Sequence, residues 1–442
     1  MNLKHAAAAL ALTSLVAAGA AQAAPKEITV AIASTFTTLD PYDASDTLSQ
    51  TASKSFYEGL FTFDKDMKVI DALATDYKVS DDGLVYTVTL RKGVKFHDGS
   101  EFQADAVKAN FDRVTNKANG LKRYMLYQNI EKTEVVDPYT VRFTLKKPFS
   151  SFINQLAHPA GVMICPSTLA NKTNKQIAFE PCGTGPYTLD KYNPSEGMRV
   201  VKNPNYWQAG FPKLDAINWK PVVENSTRVA MLLTGEAQFA FPLPAEQVKQ
   251  VQGKDQVRLD ITPSIILRYV EMNMSKKPFQ DKRVREAFNY AINKEALCKV
   301  AFAGYADPAT GYAPAAIDFA EKLGPWPYDP KKARELLKEA GYGSGLTINL
   351  WSGYNHTTAQ KVIQFLQQQL AQVGVKSNIR ALEAGQRTAL VESVPTPDKS
   401  QHDLYYIGWS SSTGELDYAI RPLLASENMP PVGSNEAYYK SE

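Results

Sequence analysis

Short runs in which apolar and polar positions alternate are separated, along most of the chain, by stretches in which apolar residues return every three or four positions. Alternation puts successive side chains on opposite faces of a strand, whereas the longer period builds one face of a helix. Strands are therefore predicted over 27–33, 77–79, 86–90, 132–136, 140–145, 187–192, 198–202, 216–221, 237–241, 265–272, 346–351, 375–380 and 405–409. Helices are predicted over 49–61, 104–114, 226–233, 329–340 and 357–373. Val107 and Phe111 mark the inner face of the second helix, and Val362, Leu366, Leu370 and Val373 that of the last. Asp82-Gly83 and Asp137-Pro138 are turn signals, and Gly374 is a helix cap.

From Asn273 to Lys294 the chain reads NMSKKPFQDKRVREAFNYAINK. An extended piece gives way to a break at Lys277-Pro278-Phe279, then to a helix with Val284, Ala287, Phe288, Ala291 and Ile292 on one face. Strands crowd between 62 and 178 around one long helix, which predicts a separate α+β insert. On either side of it strand and helix alternate, which predicts α/β lobes, the last beginning near Pro263.

Residues 1–23 read differently from the rest: Lys4, an apolar run from Ala6 to Ala20 and the ending Ala21-Gln22-Ala23 form a secretory leader. The run is shorter than the ~20 residues that span a bilayer, and no cysteine follows it, so a soluble periplasmic protein is expected. The 442 residues exceed one ordinary core, and two or three domains around a cleft are expected. Lys and Arg (49) nearly balance Asp and Glu (46) with no basic block, which leaves no electrostatic reason to bind nucleic acid or an anionic membrane.

The residue chemistry points to binding and not to turnover. GYGSG at 341–345 follows a helix and precedes a strand, the reverse of a dinucleotide loop, so it reads as a turn. No G-x-S-x-G, H-E-x-x-H or C-x-x-C occurs, and His5, His97, His158, His356 and His402 are dispersed, with His97 read as part of a hairpin turn. Cys165, Cys182 and Cys298 lack zinc spacing. Cys165 and Cys182 either close a short loop as a disulfide or stay as two buried thiols, and Cys298 reads as a packed thiol. No metal and no cofactor is expected.

Four ordered motifs carry a resemblance: the 273–294 segment, Leu39-Asp40-Pro41 followed by Phe56-Tyr57-Glu58-Gly59-Leu60, LRKGVKFHDG at 90–99, and Pro181 through Tyr187 (PCGTGPY). Together they resemble the extracytoplasmic solute-binding proteins of the peptide and nickel class, which feed ABC importers. The resemblance implies a periplasmic binding protein-like α/β fold with mixed sheets, two main lobes, an α+β insert and a hinge-linked ligand cleft. It implies domain I from 24–61 and 179–263, a domain II insert over 62–178 and domain III over 264–442. It also implies further helices and a return strand beyond Glu442, so domains I and III are expected to be incomplete here. Segments 36–50, 121–130, 235–244 and 410–419 are similar to those of family members that take glutathione. The implied function is a monomer that captures glutathione or a similar short peptide and delivers it to a membrane-embedded permease and its ATPase subunits. A dipeptide, nickel-chelate or haem binder of the same class is the alternative. A secreted hydrolase is the alternative from another class, and no nucleophile with a base can be assembled for it.

A ligand cleft needs inward polar groups and aromatics that exclude water. Loops leaving strands supply Thr37, the crossover residues Gly183, Thr184 and Gly185, Asn355, and Ser410, Ser411, Ser412 and Asp417. In peptide-binding relatives an aspartate just past a Gly-Trp pair holds the ligand ammonium. Here Gly408-Trp409 is followed by three serines, which implies donors for a carboxylate and shifts the ammonium to Glu415 or Asp417. Arginine matches a carboxylate with its planar fork. Arg123, Arg268 and Arg387 are the candidates, against a solvated pair, an outward strand position and a helix surface respectively. Tyr406 and Trp409 fall on opposite strand faces, with Trp409 expected in the cleft and Tyr124 and Tyr127 as a further wall.

Overall fold

In the computed structural model residues 26–315 and 317–440 are described, so the leader read over 1–23 lies outside the described residues. A five-stranded sheet runs in the order Phe239–Phe241, Glu27–Ile32, Ala216–Pro221, Gly197–Lys202, Tyr187–Asn193. Its first three strands are parallel and the last two run antiparallel to their neighbours. A second sheet, Ala74–Val79, Val85–Leu90, Thr140–Leu145 and Ile130–Asp137, is antiparallel throughout. The third is mixed: Ile266–Met272 is antiparallel to Leu404–Ser410, which is parallel to Leu346–Ser352 and through it to Val375–Ala381.

Alternation sets these strands. Thr140–Leu145 spans the residues the pattern predicts and buries Val141, Phe143 and Leu145 on one face. The helix Ala104–Thr115 lies on that face, with the Phe111 ring 5.0 Å from Phe143. One hydrophobic core runs from Val30 and Ile32 through Phe56 and Leu60 to Phe111, Phe143 and Val200, so the first two sheets share it. A second core lies between the third sheet and the helices Lys282–Tyr290, Pro330–Glu339 and Thr357–Ala371, and includes Val284, Phe288, Leu336, Leu350, Leu366 and Tyr406.

Two predicted elements differ, each for a tertiary reason. The helix expected over 49–61 is Thr47–Ser53, capped by Asp46. Past Ser53 the carbonyls of Ser55 and Phe56 accept from Tyr187 (2.9 Å) and Gly185 (2.8 Å) instead of serving a helix, and Phe56, Tyr57 and Leu60 turn into the core. At 277–279 the expected break is a short helix, Lys277–Gln280, because Pro278 suits a first helical turn. Asp281 then caps Lys282–Tyr290. Asn273, fully buried, clamps the strand end to the 400–403 loop: its amide donates to Ser400 Oγ and the His402 carbonyl, both at 3.0 Å.

Cys165 and Cys182 are joined in a disulfide with Cα atoms 5.4 Å apart, and Cys298 is a half-buried free thiol. His97 fastens the crossover loop, its Nε2 lying 2.9 Å from the Gly185 carbonyl and its backbone N–H donating to Gly183 at 2.8 Å. Among the described residues no helix is long and apolar enough to cross a membrane.

Candidate ligand-binding site

In sheets with parallel strands, ligands sit outside the carboxyl ends, where connecting loops present backbone and polar groups. Two such edges exist here, that of Glu27–Ile32, Ala216–Pro221 and Phe239–Phe241, and that of Leu346–Ser352, Val375–Ala381 and Leu404–Ser410. The segments that follow them approach one another where Lys361 Nζ, on the helix Thr357–Ala371, lies 4.0 Å from Glu246 Oε2. A hollow of about 590 Å³ lined by Gln367, Gly374, Ser377 and Ile379 lies along the edge strand Val375–Ala381 and the end of the helix before it, with none of the candidate residues in its lining.

The candidate residues divide into groups. At the carboxyl edge of the third sheet the Arg268 guanidinium carbon lies 4.6 Å over the Tyr354 ring, which is 6.2 Å from Tyr406 and 5.5 Å from His356. Tyr406 is buried on the helix-covered face, where burial pushes its phenol up to about 12. Asn355 beside it donates to Glu383 at 2.5 Å. Burial lowers the His356 pKa, and the Arg268 charge lowers it further.

A second group bridges the third sheet and the 62–178 segment. Ser412 Oγ lies 2.9 Å from His158 Nε2. His158 Nδ1 accepts from the Ala160 N–H at 3.0 Å, so the Nε2 proton is the one donated to Ser412. Burial, with Arg123 and Lys54 nearby, holds the His158 pKa well below its ordinary value, so this imidazole is neutral. Asn154 donates to the Thr413 carbonyl at 2.9 Å. Arg123 reaches Tyr418 OH at 3.4 Å while its fork grips the Ala44 carbonyl at 2.7 and 3.0 Å. Trp409 Nε1 donates to the Tyr418 carbonyl at 2.7 Å, and Tyr124, half-buried, opens the short helix Tyr124–Tyr127. The three-serine loop thus reaches across to the insert: Ser410 pairs with Ile266, Ser411 bonds the Ile265 carbonyl and Ser412 meets His158. Asp417 pairs with Arg421 one turn along its helix.

The remaining candidates lie apart. Thr184 is buried and donates to Glu58 at 2.9 Å; Glu58 also accepts from Tyr206 (2.6 Å) and Trp207 (2.9 Å). A Cβ on Gly183 would sit 2.3 Å from the Phe56 carbonyl oxygen, and one on Gly185 2.5 Å from the Phe56 carbonyl carbon, so close packing requires both glycines. Thr37 is exposed and bonds Asp46 and Ser49. Arg387 pairs with Glu392 at 2.8 Å.

Sequence reasoning passed over Tyr354, His158, Glu58 and two buried carboxylates, Glu271 and Glu436. Tyr354 immediately precedes the candidate Asn355, so an aromatic in a strand-leaving loop is the available signal. Glu271 is 7% and Glu436 8% exposed, and Glu271 Oε2, Tyr405 OH and Tyr438 OH have no partner among the described residues. Glu271 stands opposite Tyr405 in the strand ladder, on the face away from Arg268. Burial pushes the Glu436 carboxyl up to about 8 and Glu271 well above the usual range, with Glu436 adding to the latter.

Fold, loop-borne polar groups and motif order together define a class. Residues 68–431 match the family described as bacterial extracellular solute-binding proteins, family 5 Middle, and the chain belongs to that family. It is 59% identical over 435 residues, 98% of this chain and 84% of the relative, to the glutathione-binding protein GsiB of Salmonella choleraesuis (strain SC-B67). Among solved structures it is similar to the periplasmic binding protein DppA of Helicobacter pylori in complex with the peptide STSA (TM-score 0.83, 29% identity, 95% of this chain and 85% of that one). It is also similar to the dipeptide-binding protein of Pseudoalteromonas sp. SM9913 in complex with Met-Leu (TM-score 0.84, 26% identity, 94% and 86%).

Proposed function

We propose that this protein is the periplasmic receptor of an ABC importer, that it captures glutathione or a similar short peptide between its lobes, and that it delivers the ligand to a membrane-embedded permease and its ATPase subunits. The observation that carries the reading is the 59% identity, sustained over 98% of the chain, to a glutathione-binding protein. The site supports it chemically. A peptide with two carboxylates and one ammonium needs cations and hydrogen-bond donors on rigid elements with aromatics to shed water, and the third sheet's carboxyl edge offers Arg268, Tyr354 and Asn355. The Cys165–Cys182 disulfide suits an oxidising compartment. Capture proceeds by lobe closure around the ligand, with the 410–418 loop and the insert in contact when closed.

Titration calorimetry with glutathione, its oxidised dimer, dipeptides and nickel tests this reading. Glutathione is expected to bind one-to-one and to reduce the radius of gyration in solution scattering. Heat from a dipeptide or from nickel, with none from glutathione, would assign the protein to another ligand of the class.

A further inference from the structure

The Arg268 guanidinium is held in place by the fold and yet left chemically unused. Arg268 shares a strand face with Val270 and Met272, which pack into the second core, but it stands beyond the edge of that core and is exposed. Opposite it in the ladder is Gly408, where an added Cβ would come within 2.7 Å of Arg268 Cδ and 2.8 Å of Nη1, so the side chain lies close against bare backbone. On its other side is the Tyr354 ring, 4.6 Å from the guanidinium carbon. Tyr354 is itself fixed, since Ser352 Oγ accepts from the Tyr354 N–H at 3.1 Å and donates to its carbonyl at 2.7 Å.

Stacking engages the face of a guanidinium and leaves its in-plane N–H groups free. Arg113, Arg199 and Arg387 are matched to carboxylates, whereas among the described residues Arg268 has no ion pair and no hydrogen bond. His356 beside it adds no negative charge, and Glu246, the acid across the gap, is set toward Lys361. The result is a pre-ordered fork, its conformational cost already met by the fold, at the edge of the sheet where ligands bind.

We propose that Arg268, held between Tyr354 and Gly408, receives a carboxylate of the bound peptide and sets the protein's preference for a free acid at that end. This rests on the ligand reading above and extends it to one residue and one chemical group. An Arg268→Gln variant is compared with the parent by calorimetry against glutathione and its glycyl monoethyl ester, and an Arg268→Lys variant is run alongside. The Gln variant is expected to lose roughly 10- to 100-fold in affinity for the free acid, the range for hydrogen bonds to a charged group. Lys is expected to restore only part, because it lacks the fork. Where the glycyl carboxylate is the one seated, the ester is weak in the parent and indifferent to the Gln change; where it is the γ-glutamyl one, the Gln change weakens acid and ester alike. A Gln variant with parental melting temperature and parental affinity for both ligands overturns the proposal. A parent that ignores glutathione but binds a free-acid dipeptide overturns the ligand reading alone, and Arg268 is then judged by the same variants on that dipeptide.

Discussion

Glu436 offers the sharpest test of how the third sheet is closed on its outer face. The segment carrying it is bonded alongside the 272–274 strand end: Met274 N–H donates to the Ala437 carbonyl at 2.8 Å, and His402 Nε2 lies 3.3 Å from the Glu436 carbonyl. Its carboxyl is buried with Glu271, near Tyr269, Tyr405, Tyr438, Glu392 and Arg387. Burial and the Glu392 charge favour its neutral form, Arg387 opposes them, and the carboxyl is pushed up to about 8. Between the ordinary carboxylate range near 4.5 and about 8 the folded chain therefore keeps a proton that the unfolded chain has released. Stability contributed by this neutral form is complete at acid pH and is lost as pH rises through that window, levelling off above it. One proton corresponds to at most about 1.4 kcal/mol per pH step, or roughly 4 kcal/mol between pH 5 and 8. Glu436→Gln removes the titration, so its stability relative to the parent is expected to be near zero at pH 5 and to grow by roughly 2–4 kcal/mol by pH 8.5. Urea unfolding followed by tryptophan fluorescence at several pH values measures this. His402, pushed down from 6.5 to about 4 by burial, takes up a proton on unfolding below about pH 6.5 and so makes stability rise with pH there, but it does so in parent and variant alike and cancels from their difference. Parallel pH profiles for parent and variant would refute the buried-proton account.

Gly185→Ala drives a Cβ into the backbone of Ser55 and Phe56 and is expected to cost about 1–3 kcal/mol of unfolding free energy, with parental stability contradicting the packing argument. Reducing the Cys165–Cys182 bridge, which closes a separation of 17 residues, is expected to cost about 3 kcal/mol, and intact mass before and after alkylation of protein expressed into an oxidising compartment checks the bridge. Replacing His158 and Asn154 by Ala removes two bonds to the 410–418 loop; a lowered population of the closed state should weaken ligand by roughly tenfold through faster release, and unchanged release rates would place those bonds outside closure.

The strands were legible wherever local alternation and tertiary packing agreed, as at Thr140–Leu145 and Ala216–Pro221. The 49–61 segment misled because the carbonyls of Ser55 and Phe56 are taken by Gly185 and Tyr187, partners far along the chain that periodicity does not report. The same limit hides the site. Arg268 could be named as a candidate from its chemistry, but its freedom depends on Gly408 opposite and on a ring at Tyr354. The serine loop stood out as unusual, and its partner at His158 was invisible because a dispersed histidine carries no local signal. Glu58 sits in the Phe56–Leu60 motif, while the donors that give it meaning come from Thr184, Tyr206 and Trp207.

The central claim is that the space between the lobes recognises glutathione as a γ-linked, two-carboxylate peptide. A calorimetric titration of the purified protein with glutathione and with its α-linked isomer, Glu-Cys-Gly joined through ordinary peptide bonds, tests it most directly, because the isomers share charge and composition and differ only in where the glutamyl carboxylate and ammonium stand. The account predicts one-to-one binding of glutathione and at least tenfold weaker binding of the isomer, the discrimination that one displaced charged hydrogen bond supplies. Equal affinities, or a preference for the α-linked isomer, would contradict it.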